Sequence, residues 1–151
     1  DIYQFRDLVV RPALKAIGQY SDAAAELVLG TAVQESRLQY LKQLGKGPAL
    51  GVFQMEPATY DDIWANYLAY RPELASKVGR LAHKLHSDSL VTDMLYSAAM
   101  CRVHYLRDPE PLPEVGNAEG MAETWKRAYN TYGGAGTEEE YLENWEAYGP
   151  K

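Results

Sequence analysis

Apolar residues recur at helical spacing along nearly the whole chain. The first such segment is predicted over 2–17, stopping near Gly18, with a break or kink at Pro12, whose ring removes a donor from the helix ladder. Ser21 or Asp22 can cap a second helix over 23–41, which places Val28, Ala32, Glu35 and Gln39 along one face. Three glycines and a proline in 44–51 mark a loop or small hairpin. Pro57 suits the first turn of a third helix, with Ile63, Trp64, Tyr67 and Leu68 at helical spacing. Pro72 opens a fourth that turns Leu74, Val78, Leu81 and Leu85 inward. A fifth over 90–106 carries Met94, Ala98, Cys101 and Tyr105 and is nearly free of charge before Arg102, as a central buried helix would be. Three prolines keep 108–116 out of the helical state. A sixth helix follows over 118–131, and Thr137 with Glu140 forms a capping box for a last one that buries Tyr141, Trp145 and Tyr148.

This pattern predicts an all-α fold with at most a small β-hairpin, in one domain spanning 1–151. No apolar run approaches the ~20 residues that a membrane-spanning helix requires. Cys101 is the single cysteine, so neither an intrachain disulfide nor a cysteine metal cluster can form. The net charge of −6, densest at Glu138, Glu139, Glu140, Glu143 and Glu146, argues against nucleic acid as a partner. Twelve tyrosines and three tryptophans supply the mixed apolar and polar edges that carbohydrate binding uses, and helix packing uses them too. The chain starts at Asp1 rather than Met, which fits a removed leader or an excised fragment, and no signal peptide is visible.

Glu35 raises the sharpest chemical question. A carboxyl group looking out from an apolar helix wall is desolvated, which raises its pKa toward that of a general acid at neutral pH. A helix-rim Glu paired with Arg37 or a lysine would read the same way. His83 and His86, three apart, lack a third ligand, so no metal or other cofactor is expected. Cys101, on an apolar face, reads as an inert thiol rather than as half of a pair with His104.

Three segments, in order, resemble the lytic transglycosylase and goose-type lysozyme superfamily: "QES" at Gln34–Ser36 with "GVFQMEPAT" after a glycine-bearing turn, "MLYSAAMCRVHYL" from Met94, and "RAYNTYGGAG" from Arg127. The resemblance implies a lysozyme-like peptidoglycan muramidase that cleaves the β-1,4 bond between N-acetylmuramic acid and N-acetylglucosamine without a cofactor. It makes Glu35 the catalytic acid, with Ser36 hydrogen-bonding near it as one of the substrate-binding residues. Gln54 would point into a cleft walled by Phe53 and Met55, Tyr129 would orient Glu35 or the sugar, and Asn130 would bind the acetamido group. The stretch from Gly47 to Leu68 also resembles tail-associated or lytic proteins of bacteriophages. That implies action on the glycan strands of the bacterial wall, in the periplasm or from outside, as an endolysin or through delivery by a virion or another protein; a monomer is the default expectation.

The reaction type turns on a second carboxylate. A transglycosylase needs one acid because the sugar's own 6-hydroxyl attacks, whereas an inverting hydrolase needs a base that activates water. Between Glu35 and Gly51 there is no Asp or Glu, unlike the phage and animal lysozymes that place an Asp there. Goose-type lysozymes are similar to this chain in having an acid at the place of Glu56, which makes Glu56 the candidate water-activating base; it reads equally as a helix-start residue favoured by the dipole. Asp61 and Asp62 read as dipole partners in the first turn of the same helix. Two other classes fit these residues: a non-catalytic virion or wall-binding protein with a lysozyme-like fold, and a chitinase-like glycosidase.

Overall fold

The computed structural model describes residues 1–131 and 133–151. Among them the chain is mainly helical, and the β-type pairings are isolated antiparallel bridges of Leu50 with Lys42 and with Met55. Helices α1 (Ile2–Phe5) and α2 (Arg11–Ala16) are joined by a π-helical turn, Arg6–Val10. Pro12 therefore does not break the helix. The Arg11 N–H reaches back five residues to the Arg6 carbonyl, and the wider turn absorbs the missing donor of the proline.

Helix α3 (Asp22–Ser36) starts at Ser21, whose side chain accepts from the Ala24 N–H, and it is buried along most of its length. It ends at Ser36, five residues short of the predicted end, so Gln39 lies off the helix. Arg37 and Leu38 both take left-handed backbone, with φ of 52° and 60°. The Ser36 hydroxyl donates to the Val52 carbonyl at 2.6 Å and accepts from the Leu38 N–H at 3.2 Å, tying the helix end to another part of the chain instead of to a further turn.

Helices α4 (Pro57–Asn66) and α5 (Pro72–Gly79) follow, separated by a 3₁₀ turn at Leu68–Tyr70. Beyond the end of α5 at Gly79, Leu81 is half-buried and packs against the second core as expected, whereas Leu85 is exposed, contrary to the inward placement expected of it. The predicted fifth helix is divided into α6 (Ser89–Thr92) and α7 (Met94–Leu106) by the extended residue Asp93, whose carboxylate accepts from the His83 N–H at 2.7 Å. Met94 consequently lies at an exposed helix start. Helix α7 is the central partition. Its Ala98, Cys101 and Tyr105 pack with α3, while Tyr96, Ala99, Met100 and Val103 face the second core, against Ile63, Leu68 and Val78.

Helix α8 (Ala118–Thr124) continues into a π-helical turn, Trp125–Asn130. The last helix, α9 (Glu138–Tyr148), is capped by Thr137, whose hydroxyl accepts from the Glu140 N–H. Tyr141 is buried and Trp145 half-buried, whereas Tyr148 is exposed and carries the Arg37 guanidinium over its ring at 5.0 Å. Tyr141 packs where Gly30 leaves α3 without a side chain, and its buried hydroxyl has no hydrogen-bond partner among the described residues. Tyr141→Phe should therefore raise stability by about 1 kcal/mol, a gain of roughly 2–4 °C in thermal unfolding midpoint. A fall in midpoint would show that the hydroxyl is bonded.

Candidate functional site

Glu35 is the next-to-last residue of α3, and its half-buried side chain opens into a cleft of about 400 Å³. Three segments complete this cleft. One runs from Gln54 through Met55 and Glu56 to Thr59, the second supplies His104, and the third brings Tyr129, Asn130, Gly134 and Ala135. Gln43 and Ala49 border it from the glycine-rich loop.

The turn that presents Gln54 is held from several sides. Gly51 has φ of 75°, and its carbonyl accepts both the backbone N–H of Gln54 at 3.0 Å and its side-chain Nε2 at 2.9 Å. Gln54 itself is left-handed, with φ of 51°, a conformation this doubly bonded turn sustains. The two carbonyls between them are pinned by side chains from elsewhere, Val52 by Ser36 and Phe53 by the Tyr129 hydroxyl, each at 2.6 Å.

These contacts correct several expectations. Ser36 is fully buried and acts as a strut between α3 and the turn, not as a ligand for substrate. Phe53 gives only its backbone, because its ring lies in the core 6.0 Å from that of Phe5; Met55 does line the cleft. Tyr129 lines it too, but its hydroxyl is spent on Phe53 and its ring stacks on Tyr105 at 5.5 Å, so it does not hold Glu35. Asn130 borders the cleft, with its Oδ1 accepting from Lys126 at 2.8 Å. Glu56 is exposed at the cleft edge and makes no capping bond with α4. Asp62 lies beyond the first turn and instead pairs with Arg107 at 2.6 Å, which holds its carboxyl below the usual range.

The residue that does hold Glu35 is Trp125, whose indole Nε1–H donates to Oε2 at 2.9 Å. Burial lifts the Glu35 pKa from 4.5 to about 7, against the smaller opposing effect of this bond. No ion pair involves Glu35 among the described residues; Arg37 turns away to Tyr148. His104 is driven the other way, to about 4, by burial and the adjacent Arg107. Arg107 donates to its Nδ1 at 3.1 Å, which requires a neutral ring. At neutral pH the cleft thus holds a partly protonated carboxyl group beside a neutral imidazole. Cys101 is fully buried, and burial pushes its thiol well up.

Trp125, Lys126, His104 and Gln43 were not anticipated as site residues. Trp125 stands four positions before Tyr129, so helical spacing places them on one face, but nothing in its sequence neighbours points to Glu35. Among the described residues no group of three or more His, Cys, Asp or Glu is arranged to hold a metal ion, and no helix is long and apolar enough to cross a membrane. Comparison with family models, curated proteins and solved structures returned no match to the chain.

Proposed function

We propose that this protein cleaves the β-1,4 bond between N-acetylmuramic acid and N-acetylglucosamine in peptidoglycan, with Glu35 as the general acid. The observation that carries the reading is a half-buried carboxyl, without a counter-ion among the described residues, tuned to about 7 inside an amide-bordered cleft. Such a group is protonated often enough near neutrality to donate to the bridging oxygen as the bond breaks through an oxocarbenium-like state. Once ionised, Glu35 can take the proton of the sugar's own 6-hydroxyl, closing a 1,6-anhydro ring. If water attacks instead, Glu56, at the edge of the same cleft, is the side chain available to activate it.

Mass spectrometry of digested peptidoglycan tests this directly. Products ending in 1,6-anhydro-muramic acid identify a transglycosylase, and reducing ends identify a hydrolase. No products at all would sink the enzyme reading in favour of a wall-binding protein, and cleavage of chitin oligomers as well would move the substrate toward chitin.

Trp125 supplies a second test. Its N–H favours the ionised carboxylate, so Trp125→Phe should raise the Glu35 pKa further. Glu35 must be protonated to act as acid, so the alkaline limb of the kcat/KM profile should move upward, by roughly half a unit to one unit. A limb that stays in place or moves down would separate Glu35 from the rate.

A further inference from the structure

Three carboxamides border the cleft, and each has one end tied down by the protein. Lys126 and the Ala49 N–H can only donate, so the atoms they meet on Asn130, at 2.8 Å, and on Gln43, at 3.1 Å, are amide oxygens. The Gly51 carbonyl can only accept, so Gln54 turns its NH₂ toward it. What remains for a ligand is an NH₂ donor on Asn130, another on Gln43 and an oxygen acceptor on Gln54. Two of the three fixing partners are backbone groups. The third, Lys126, is a side chain.

Lys126 does more than turn one amide. Its half-buried Nζ also donates to the carbonyls of Gly134 at 3.1 Å and Gly136 at 2.6 Å, so its three protons have three acceptors. Gly136 is backed by the buried Trp125 ring, where an added Cβ would stand 2.6 Å from an indole carbon. The backbone at 134–136 is therefore held between the ammonium group and the indole, and Gly134 and Ala135 border the cleft.

We propose that Lys126 is a positioning residue of this cleft, one that turns the Asn130 NH₂ toward a carbonyl acceptor on the bound N-acetylated sugar and fixes the Gly134–Gly136 rim. The proposal rests on the peptidoglycan reading above. Without Lys126 the Asn130 amide can rotate and offer its oxygen, which a carbonyl group repels.

Michaelis kinetics on peptidoglycan fragments, with wild type, Lys126→Met and Lys126→Arg, test it alongside thermal unfolding. Lys126→Met should raise KM about tenfold with kcat within about twofold of wild type, and Lys126→Arg should recover most of the loss. A lowered unfolding midpoint with an unchanged KM would leave Lys126 a purely structural strut and overturn the proposal while sparing the glycan reading. The ¹⁵Nζ resonance of Lys126 gives a readout independent of activity: it should exchange slowly with water, and exchange as fast as that of the exposed lysines would overturn the geometry. A wild type that neither binds nor cleaves the fragments would sink the glycan reading, and this proposal with it.

Discussion

Replacing Glu35 with Gln should abolish cleavage of peptidoglycan and, at neutral pH, make the protein more stable. The activity should fall by about 10²–10⁴-fold, the usual contribution of a positioned general acid, because an amide has no proton to give the bridging oxygen. The stability gain follows from the same burial that tunes the acid. Folded, Glu35 keeps its proton up to about 7, against an ordinary value of 4.5. A carboxyl group whose folded pKa is raised contributes fully below the ordinary value, and that contribution is lost as pH rises toward the folded one. The shift corresponds to at most about 3 kcal/mol, and partial exposure reduces that to roughly 2 kcal/mol. Gln carries no charge to desolvate and can still accept the Trp125 N–H. The two proteins should therefore unfold alike near pH 4 and diverge between pH 4.5 and 7, with the Gln variant more stable above. Parallel melts across that range check the stability, and muropeptide analysis checks the activity. A Gln variant that cleaves within about tenfold of the wild-type rate would remove Glu35 from the mechanism, and one less stable at pH 8 would mean that the carboxylate has a partner.

That coupling of stability to chemistry was partly legible in the sequence. An apolar run around a single Glu is enough to predict desolvation, and the raised pKa follows from it. The neighbouring Ser36 departs from its expected role for a geometric reason. Consecutive helix residues point about 100° apart, so when Glu35 faces the cleft Ser36 faces inward. Phe53 departs from expectation similarly: in a tight turn with left-handed residues at Gly51 and Gln54, side chains leave in different directions, and adjacency to Gln54 says little about a shared wall. Helix extents were legible where caps and glycines mark them, as at Ser21 and Gly18, and illegible where a tertiary bond ends the helix. Ser36 bonding to Val52 and Asp93 bonding to His83 are such cases. The Trp125 bond to Glu35 joins residues 90 positions apart, and only the packing of the π-helical turn Trp125–Asn130 against the rest of the chain brings them together.

Gly51→Ala should be the most damaging single-methyl change near the cleft, and its comparison with Gly45→Ala isolates the reason. Both glycines have positive φ, 75° at Gly51 and 83° at Gly45, so both substitutions incur the conformational cost of an L-residue there, about 1 kcal/mol. They differ in what the methyl group meets. At Gly45 nothing lies within 4 Å, whereas at Gly51 the Cβ would collide with the backbone carbonyl of Leu90 and approach the Ser97 hydroxyl at 3.1 Å. A backbone oxygen cannot swing aside as a side-chain end can, so overlap adds a further 1–3 kcal/mol or so. Gly51→Ala should thus lower the unfolding midpoint by about 6–12 °C and Gly45→Ala by only about 2–4 °C. The excess falls on the turn that carries Gln54 and Met55 and receives the bonds of Ser36 and Tyr129. Glycan cleavage should therefore drop in the Gly51 variant even below its melting range, with the chemistry of Glu35 untouched. Equal midpoints for the two variants would mean that Leu90 is not what fixes this turn. Full activity in a destabilised Gly51→Ala would mean that the Gln54–Met55 wall is not needed for turnover.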